Sequence, residues 1–376
     1  AFPSWSGMYA IENTNEELLS GDWTKGSQGS GEAQFLIRGT LFLELSTGEL
    51  ATNWSFVDDS TATFTIRKGV RFHNKAPTFG RELTADDVAY NISRMFSEEI
   101  LNPNPSRTFR SFHDLYDSVA VLDNAVVQIK STPGNIGSLF QSVSQKLRHY
   151  PQDAVEANGD MRDWQDSIGT GPFMLDQYVA ASVFSYSRNP DYWGTDPLNP
   201  ENQLPYVDTL KWLIIPDRST MVAALRTGKI DWIENIGWEE RDSLKKSSLN
   251  MQEGEYFQGG RPIGMYVMNA SVPPFDDIRV RRAMQMALDL ETINDTYFGG
   301  FGKTEPMGGI TAVPGFVTPF EEWPEELKES YTYDPEAAEA LLDAAGYPLG
   351  ADGIRFKTNM MHWDRYDLNY VELVAS

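Results

Sequence analysis

The sequence predicts a mixed α/β body built from more than one lobe. Three observations carry this. The chain has 376 residues, more than one ordinary core accommodates. Its first half shows strand patterns joined by short turns, which read as hairpins. Its second half alternates strand-like with helical runs. Hydrophobic residues make up 41%, enough for a sizeable core, and no low-complexity stretch points to disorder.

The first forty residues are rich in Gly, Ser, Asn and Thr, as in Gly26-Ser27-Gln28-Gly29-Ser30-Gly31. They read as irregular surface chain, with Trp5, Tyr9 and Trp23 available to pin it. Residues 61–67 read as a strand: Ala62, Phe64 and Ile66 point one way, Thr61, Thr63, Thr65 and Arg67 the other. Lys68-Gly69 turns the chain. A helix starts at Thr84, three residues before Asp87, the spacing of a capping box. Its apolar stripe is Val88, Ile92, Met95 and Phe96.

Residues 119–130 read as a hairpin turning at Asp123-Asn124, and 173–188 as another turning near Ala180-Ala181-Ser182. A short strand is expected at 211–215. A small helix over 219–227 ends on Gly228. Residues 230–233 and 264–269 are strand-like. The strongest helix presents Val280, Ala283, Met284, Ala287 and Leu288 on one face. Asp334 caps another, Pro335 occupies its first turn and Gly346 ends it, with Ala338, Leu341, Leu342 and Ala345 inside. Residues 354–361 read as a strand, and 370–375 as the start of a helix.

The formal net charge is -23, from 54 acidic and 31 basic residues. Nucleic acid and anionic membrane surfaces need basic patches, so neither is expected as a partner. The acidity serves solubility or draws cationic ligands. Cysteine is absent, which removes disulfides, thiol nucleophiles and thiolate metal sites. No apolar run is long enough to span a bilayer. Ala1-Phe2-Pro3-Ser4-Trp5 has no basic n-region, so any signal segment is expected to lie outside this sequence.

The four histidines, His73, His113, His149 and His362, show no metal-ligand spacing and read as ordinary polar side chains. No metal site and no cofactor is expected. There is no G-x-S-x-G elbow and no P-loop. Adjacent acids such as Glu239-Glu240 and Glu321-Glu322 read as solvated surface. A catalytic carboxylate pair has no positive signal, and the chain is expected not to be an enzyme.

Eight segments, in order, resemble the family 5 extracytoplasmic solute-binding proteins of ABC transporters, the dipeptide-, oligopeptide- and nickel-binding receptors. They are Ala51-Thr52-Asn53-Trp54, Ile66-Arg67-Lys68-Gly69-Val70-Arg71-Phe72-His73, Leu83-Thr84-Ala85-Asp86-Asp87-Val88 and Gly169-Thr170-Gly171-Pro172-Phe173. After these come Arg188-Asn189-Pro190-Asp191-Tyr192-Trp193-Gly194, Ala224-Leu225-Arg226-Thr227-Gly228-Lys229-Ile230-Asp231, Pro274-Phe275-Asp276-Asp277-Ile278-Arg279-Val280-Arg281 and Tyr333-Asp334-Pro335-Glu336-Ala337-Ala338. Each also has a framework role. The glycines at 169 and 171 permit a tight crossover, and Arg279 and Arg281 suit carboxylates near a helix start.

The resemblance is closest to the dipeptide-receptor type. It implies a bilobal, periplasmic-binding-protein-like α/β fold of type II, of the large class with an inserted subdomain. Lobe I would comprise 1–40 and 168–262, with a subdomain of 41–167 inserted, and an incomplete lobe II would run over 263–376. The family continues beyond position 376 and carries there the acid that meets a peptide ammonium. The segment 73–82 is longer than the family's turn and reads as a surface insertion.

The ligand-binding residues the resemblance implies are Gly260, Arg261 and Tyr266 at a lobe crossover, and Trp363, Asp364 and Arg365 in a loop facing the cleft. Arg261 would fork onto a carboxylate, Tyr266 and Trp363 would stack, and Asp364 or Arg365 would read a charged terminus. Gly260 would let backbone approach. A plain hinge and an exposed loop are the alternatives. Gly308-Gly309-Ile310 and Trp238 are weaker candidates. The implied function is extracytoplasmic capture of a peptide-like small solute by a monomer, with delivery to the membrane permease subunits of an ABC transporter. An oligosaccharide, nickel chelate or other solute on the same fold, and a cleft hydrolase or ligand-sensing domain, remain open.

Overall fold

The computed structural model describes residues 10–26, 29–32, 42–96, 113–159, 161, 163–234, 236–247, 251–254, 267–302, 304, 306, 318–361 and 368–375. The chain divides into two compact units, Ala1–Pro216 and Asp217–Ser376.

In the first unit, β1 (Leu19–Gly21) pairs antiparallel with β2 (Ser46–Gly48). Strands β3 (Ala51–Phe56), β4 (Thr61–Ile66), β5 (Tyr116–Asp123) and β6 (Val126–Ser131) form an antiparallel sheet in the order β3-β4-β6-β5. The period-two pattern of β4 sets its faces. Ala62, Phe64 and Ile66 are buried, and Thr61 joins them. Phe64 stands opposite Val127 and Ala62 opposite Ile129, so both strands feed one core. Burying a side chain such as Phe64 contributes about 1.5–3 kcal/mol.

Helix α1 (Ala85–Phe96) lies against β5 and β6. Its capping box forms as the spacing predicts. The Thr84 N–H donates to the Asp87 carboxylate at 3.0 Å, and the Asp87 N–H donates to Thr84 Oγ1 at 3.3 Å. Val88, Ile92 and Phe96 are fully buried. Helix α2 (Ile136–Gln145) covers β4 and β6, with Phe140 stacked on Phe64 at 4.8 Å. A short α3 (Gln152–Asn158) follows. The third sheet is β7 (Phe173–Val179), β8 (Val183–Arg188) and β9 (Thr209–Leu213). Its first turn carries Ala181 at φ 55°. The last strand falls two residues earlier than the apolar run 211–215 suggested, because Leu213 pairs with Val183 and Thr209 with Ser187.

Two segments read as surface chain send residues into the core. Thr14, Asn15, Glu16, Leu18 and Leu19 are all buried, which the composition of the first forty residues does not suggest. The cause is a chain crossing. Gly171 N–H donates to Thr14 O at 2.9 Å, and Asn15 Nδ2 donates to the carbonyls of His149 and Ile168 at 3.0 and 3.1 Å. Gly169 lies so near that a Cβ there would sit 1.9 Å from Thr14 O. The second segment is 73–82. Its His73 and Thr78 are buried. His73 Nδ1 accepts from the Gly169 N–H at 3.3 Å, which leaves the proton on Nε2, 3.1 Å from Gly171 O. The loop therefore clamps the crossing.

In the second unit, α4 (Arg218–Arg226) is capped by Asp217 and ends at Gly228, φ 66°. Helix α5 (Trp238–Ser247) follows. Helices α6 (Ile278–Met286), α7 (Leu290–Tyr297), α8 (Glu325–Glu329), α9 (Pro335–Ala344) and α10 (Leu368–Ala375) complete the unit. Helices α6 and α9 pack together through Ala283, Met286 and Ala338, with Leu341 and Leu342 beside them, and Val280 of α6 is also buried. Ala287, expected on this face, is exposed because α6 ends at Met286. Asp334 caps α9 as predicted. Arg279 pairs with Asp277, whereas Arg281 donates to the Phe275 carbonyl.

Residues 230–233 and 354–361 are not strands. Apolar residues alone do not make a ladder, and neither segment takes strand geometry. The second is held instead by Phe356 against Phe275 and Tyr347, and by Arg355 on Asp343 and the Tyr347 carbonyl. Of the strand expected at 264–269, the described residues 267–269 are not strand, and the rest lie outside the described residues. Trp193-Gly194 lies past the end of β8, in the loop that follows it.

Candidate functional site

Gly260, Arg261, Tyr266, Trp363, Asp364 and Arg365 lie outside the described residues, as do Gly308, Gly309 and Ile310. One described flank of each segment reaches a single aromatic cluster in the second unit. Trp238, at the start of α5, donates from Nε1 to the Tyr297 carbonyl at 3.1 Å. Gly299 lies under its indole. A Cβ at Gly299 would be 2.6 Å from the ring, and its φ of 62° suits glycine.

The Tyr297 ring stands 4.8 Å from Phe298 and 5.3 Å from Tyr370, and Phe298 is 5.7 Å from Tyr370. Arg241, one turn along α5 from Trp238, places its guanidinium 4.8 Å over Phe301. Glu253 pairs with both Arg241 and Lys245. Residue 253 leads into the segment bearing Gly260, Arg261 and Tyr266. Phe301 leads toward Gly308-Gly309-Ile310. Tyr370 follows the segment bearing Trp363, Asp364 and Arg365. Helices α5, α7 and α10 thus hold one flank of each candidate ligand segment within one patch.

The cluster is chemically a stacking surface edged by one guanidinium. Tyr297, Phe298 and Tyr370 are half-buried and Phe301 is half exposed. Aromatic faces suit apolar and planar groups, and a guanidinium over a ring adds a cation–π contact. The acids Glu239 and Glu240 do not form a reactive pair. Glu240 is held below the usual carboxylate range by Arg218, at 2.6 Å. Among the described residues no group of three or more His, Cys, Asp or Glu is arranged to hold a metal.

Two of the histidines are far from ordinary surface residues. Burial pushes His73 down to about 4 and His149 down to about 3, so both are neutral structural groups at physiological pH. His113 faces Asp114 at 3.8 Å, and His362 lies outside the described residues.

Of the cluster, sequence reasoning singled out Trp238 and missed Arg241, Tyr297, Phe298, Phe301 and Tyr370. The string Tyr297-Phe298-Gly299-Gly300-Phe301 carried a usable signal. Three rings around two glycines just past a helix mark close backbone approach.

With this geometry in view, the comparisons place the chain in a class. Residues 47–376 match the family model described as Bacterial extracellular solute-binding proteins, family 5 Middle. The chain belongs to that family. It is 28% identical over 364 residues to the dipeptide-binding protein of Escherichia coli strain K12, covering 91% of this chain and 64% of that one. It is 29% identical over 316 residues to heme-binding protein A of Haemophilus influenzae, covering 80% and 54% respectively. Its fold is similar to that of an ABC transporter-associated periplasmic binding protein from Helicobacter pylori in complex with a peptide. There the TM-score is 0.67 at 21% identity, over 93% of this chain and 64% of that one. The chain therefore spans less than two thirds of the length of these relatives. No helix among the described residues is long and apolar enough to cross a membrane.

Proposed function

We propose that the chain is the larger part of an extracytoplasmic receptor that captures a peptide-like small solute and delivers it to the permease subunits of an ABC importer, without chemically altering it. The observation that supports this reading is the aromatic–arginine cluster of the second unit, which holds described chain next to each candidate ligand segment, in a chain whose relatives include a dipeptide-binding protein. In this reading the lobes follow the boundaries expected from the sequence. Arg261 forks onto the peptide carboxylate, Tyr266 and Trp363 flank its side chains, Gly260 admits the peptide backbone, and Asp364 and Arg365 meet its charged ends. The lobes close on the ligand because the closed state alone makes both sets of contacts.

A thermal-shift panel on the full-length protein tests the reading. A ligand that binds only the folded state at a hundred times its Kd adds about 2.7 kcal/mol, a rise in melting temperature of a few degrees. Dipeptides or tripeptides are expected to give that rise. Haemin, a nickel salt or an oligosaccharide shifting the midpoint while every peptide leaves it unmoved would overturn the peptide assignment and keep the receptor.

A further inference from the structure

We propose that Glu16 and Glu49 form a proton-dependent latch in the first unit, closed while the pair shares one proton and loosened when that proton leaves.

Glu16 is only 3% exposed, deep in the segment before β1. Its carboxylate accepts from the Tyr192 hydroxyl at 3.0 Å and from Trp193 Nε1 at 3.1 Å to each oxygen. It thereby ties the N-terminal segment to the turn after β8. Glu49, in the turn between β2 and β3, accepts from the Glu17 N–H at 2.8 Å. A single guanidinium serves both acids. Arg67 lies 4.2 Å over the Trp193 ring, but its N–H groups go to the carbonyls of Glu49 and Gly48, at 2.7 and 3.1 Å.

Among the described residues, no charged group facing the pair besides Arg67 neutralises it. Glu12 and Glu17, on the same segment as Glu16, are engaged by Arg148, so Arg148 is not available to neutralise the pair. His149, whose N–H donates to the Glu16 carbonyl, is neutral. Tyr192 is held well above its usual range by burial and the two carboxylates, so it stays a donor. The buried carboxylate of Glu16 and the partly buried one of Glu49 thus face one cation, and one negative charge is left over. Burial pushes Glu16 up to about 7. Burial, and then the charges of Glu16 and Glu12, push Glu49 well above its usual value. One proton on the pair cancels the surplus. Its departure leaves two like charges repelling in a poorly solvated site, and the load falls on the bonds by which Glu16 ties the segment over 10–21 to the turn after β8.

The sign follows from linkage. Both acids bind protons more tightly folded than unfolded. Their stability contribution is therefore complete below the ordinary carboxylate range and is lost as pH rises through about 7.

Hydrogen exchange and thermal melting on the full-length protein between about pH 6 and pH 8.5 test this. After correction for intrinsic exchange, amides over 10–21 are expected to lose protection as pH rises, and the melting temperature to fall. Glu16→Gln keeps the shape and removes the charge, and is expected to abolish both trends. Tyr192→Phe removes a donor that favours the ionised acid, and is expected to move the transition to higher pH. Wild-type protection over 10–21 that does not change across this range would overturn the latch, even if Glu16→Gln failed to fold. So would a Glu16→Gln protein with the wild-type pH dependence.

Discussion

Gly169→Ala is expected to destabilise the first unit by on the order of 3 kcal/mol or more, at or beyond the upper range for overpacking a tight core. The added Cβ would lie 1.9 Å from Thr14 O and 2.7 Å from the Asn15 side-chain amide. Neither neighbour can yield. Thr14 O holds the Gly171 N–H, and the Asn15 amide holds two carbonyls. Moving residue 169 instead would break its bonds to His73 on both sides, N–H to ring and carbonyl to backbone N–H. Gly137 is the control. It lies in α2 with nothing within 4 Å of an added methyl, so Gly137→Ala is expected to be neutral or stabilising by up to about 1 kcal/mol. Urea unfolding followed by circular dichroism compares the two. Equal, small effects would show that the crossing is not closely packed.

Arg81→Ala carries the second large expectation, a loss of about 3 kcal/mol, toward the low end for breaking a buried ion pair. Arg81 donates to Asp87 at 2.8 and 2.7 Å and to Asp153 at 3.0 and 2.7 Å, with its guanidinium 4.9 Å from the Phe72 ring. It joins the 73–82 loop to the first turns of α1 and α3. The Asp87 side chain is 3% exposed. Burial opposes its ionisation, and Arg81 with the Thr84 and Gln152 N–H groups more than offsets this, holding the carboxyl below its usual range. Without Arg81 the charge stays buried with only the Thr84 and Gln152 donors. Those donors, and the 32% exposure of the Arg81 side chain, keep the figure low in the range. The sign on the pH axis is opposite to that of Glu16. A depressed carboxyl contributes stability above its unfolded pKa and loses it as pH falls, so the variant's deficit should shrink in acid. Adding Asp87→Asn should restore part of the loss, because no buried charge is then left unpaired. An Arg81→Ala protein within about 1 kcal/mol of wild type, below what a buried pair costs to break, would contradict this.

What the sequence made legible was local. Thr84 and Asp87 sit three apart, and the capping box follows from that spacing alone. Ala62, Phe64 and Ile66 alternate, and β4 buries them. Asp334, Pro335 and Gly346 bound α9 by rules that involve only their own neighbours. What stayed hidden depends on distant chain. Glu16 sits among polar residues and reads as surface, and only Arg67, Tyr192 and Trp193 arriving from elsewhere bury it. The segments 230–233 and 354–361 had strand composition, but strand formation depends on sheet context, which is not encoded locally. In the candidate site, Trp238 was visible as an isolated aromatic. The grouping of Tyr297, Phe301 and Tyr370 around it depends on how α5, α7 and α10 come together. Gly260, Arg261, Tyr266, Trp363, Asp364 and Arg365 came from resemblance to the family.

The most direct test of peptide capture is calorimetric titration of a dipeptide into the full-length protein, with recovery of the peptide afterwards. The expected result is saturable binding at one site per chain, with the dipeptide recovered intact. Arg261→Ala is expected to weaken binding by on the order of tenfold or more, the loss of a charge-assisted fork. Absence of binding by any peptide, or recovery of hydrolysed peptide, would contradict capture without chemistry.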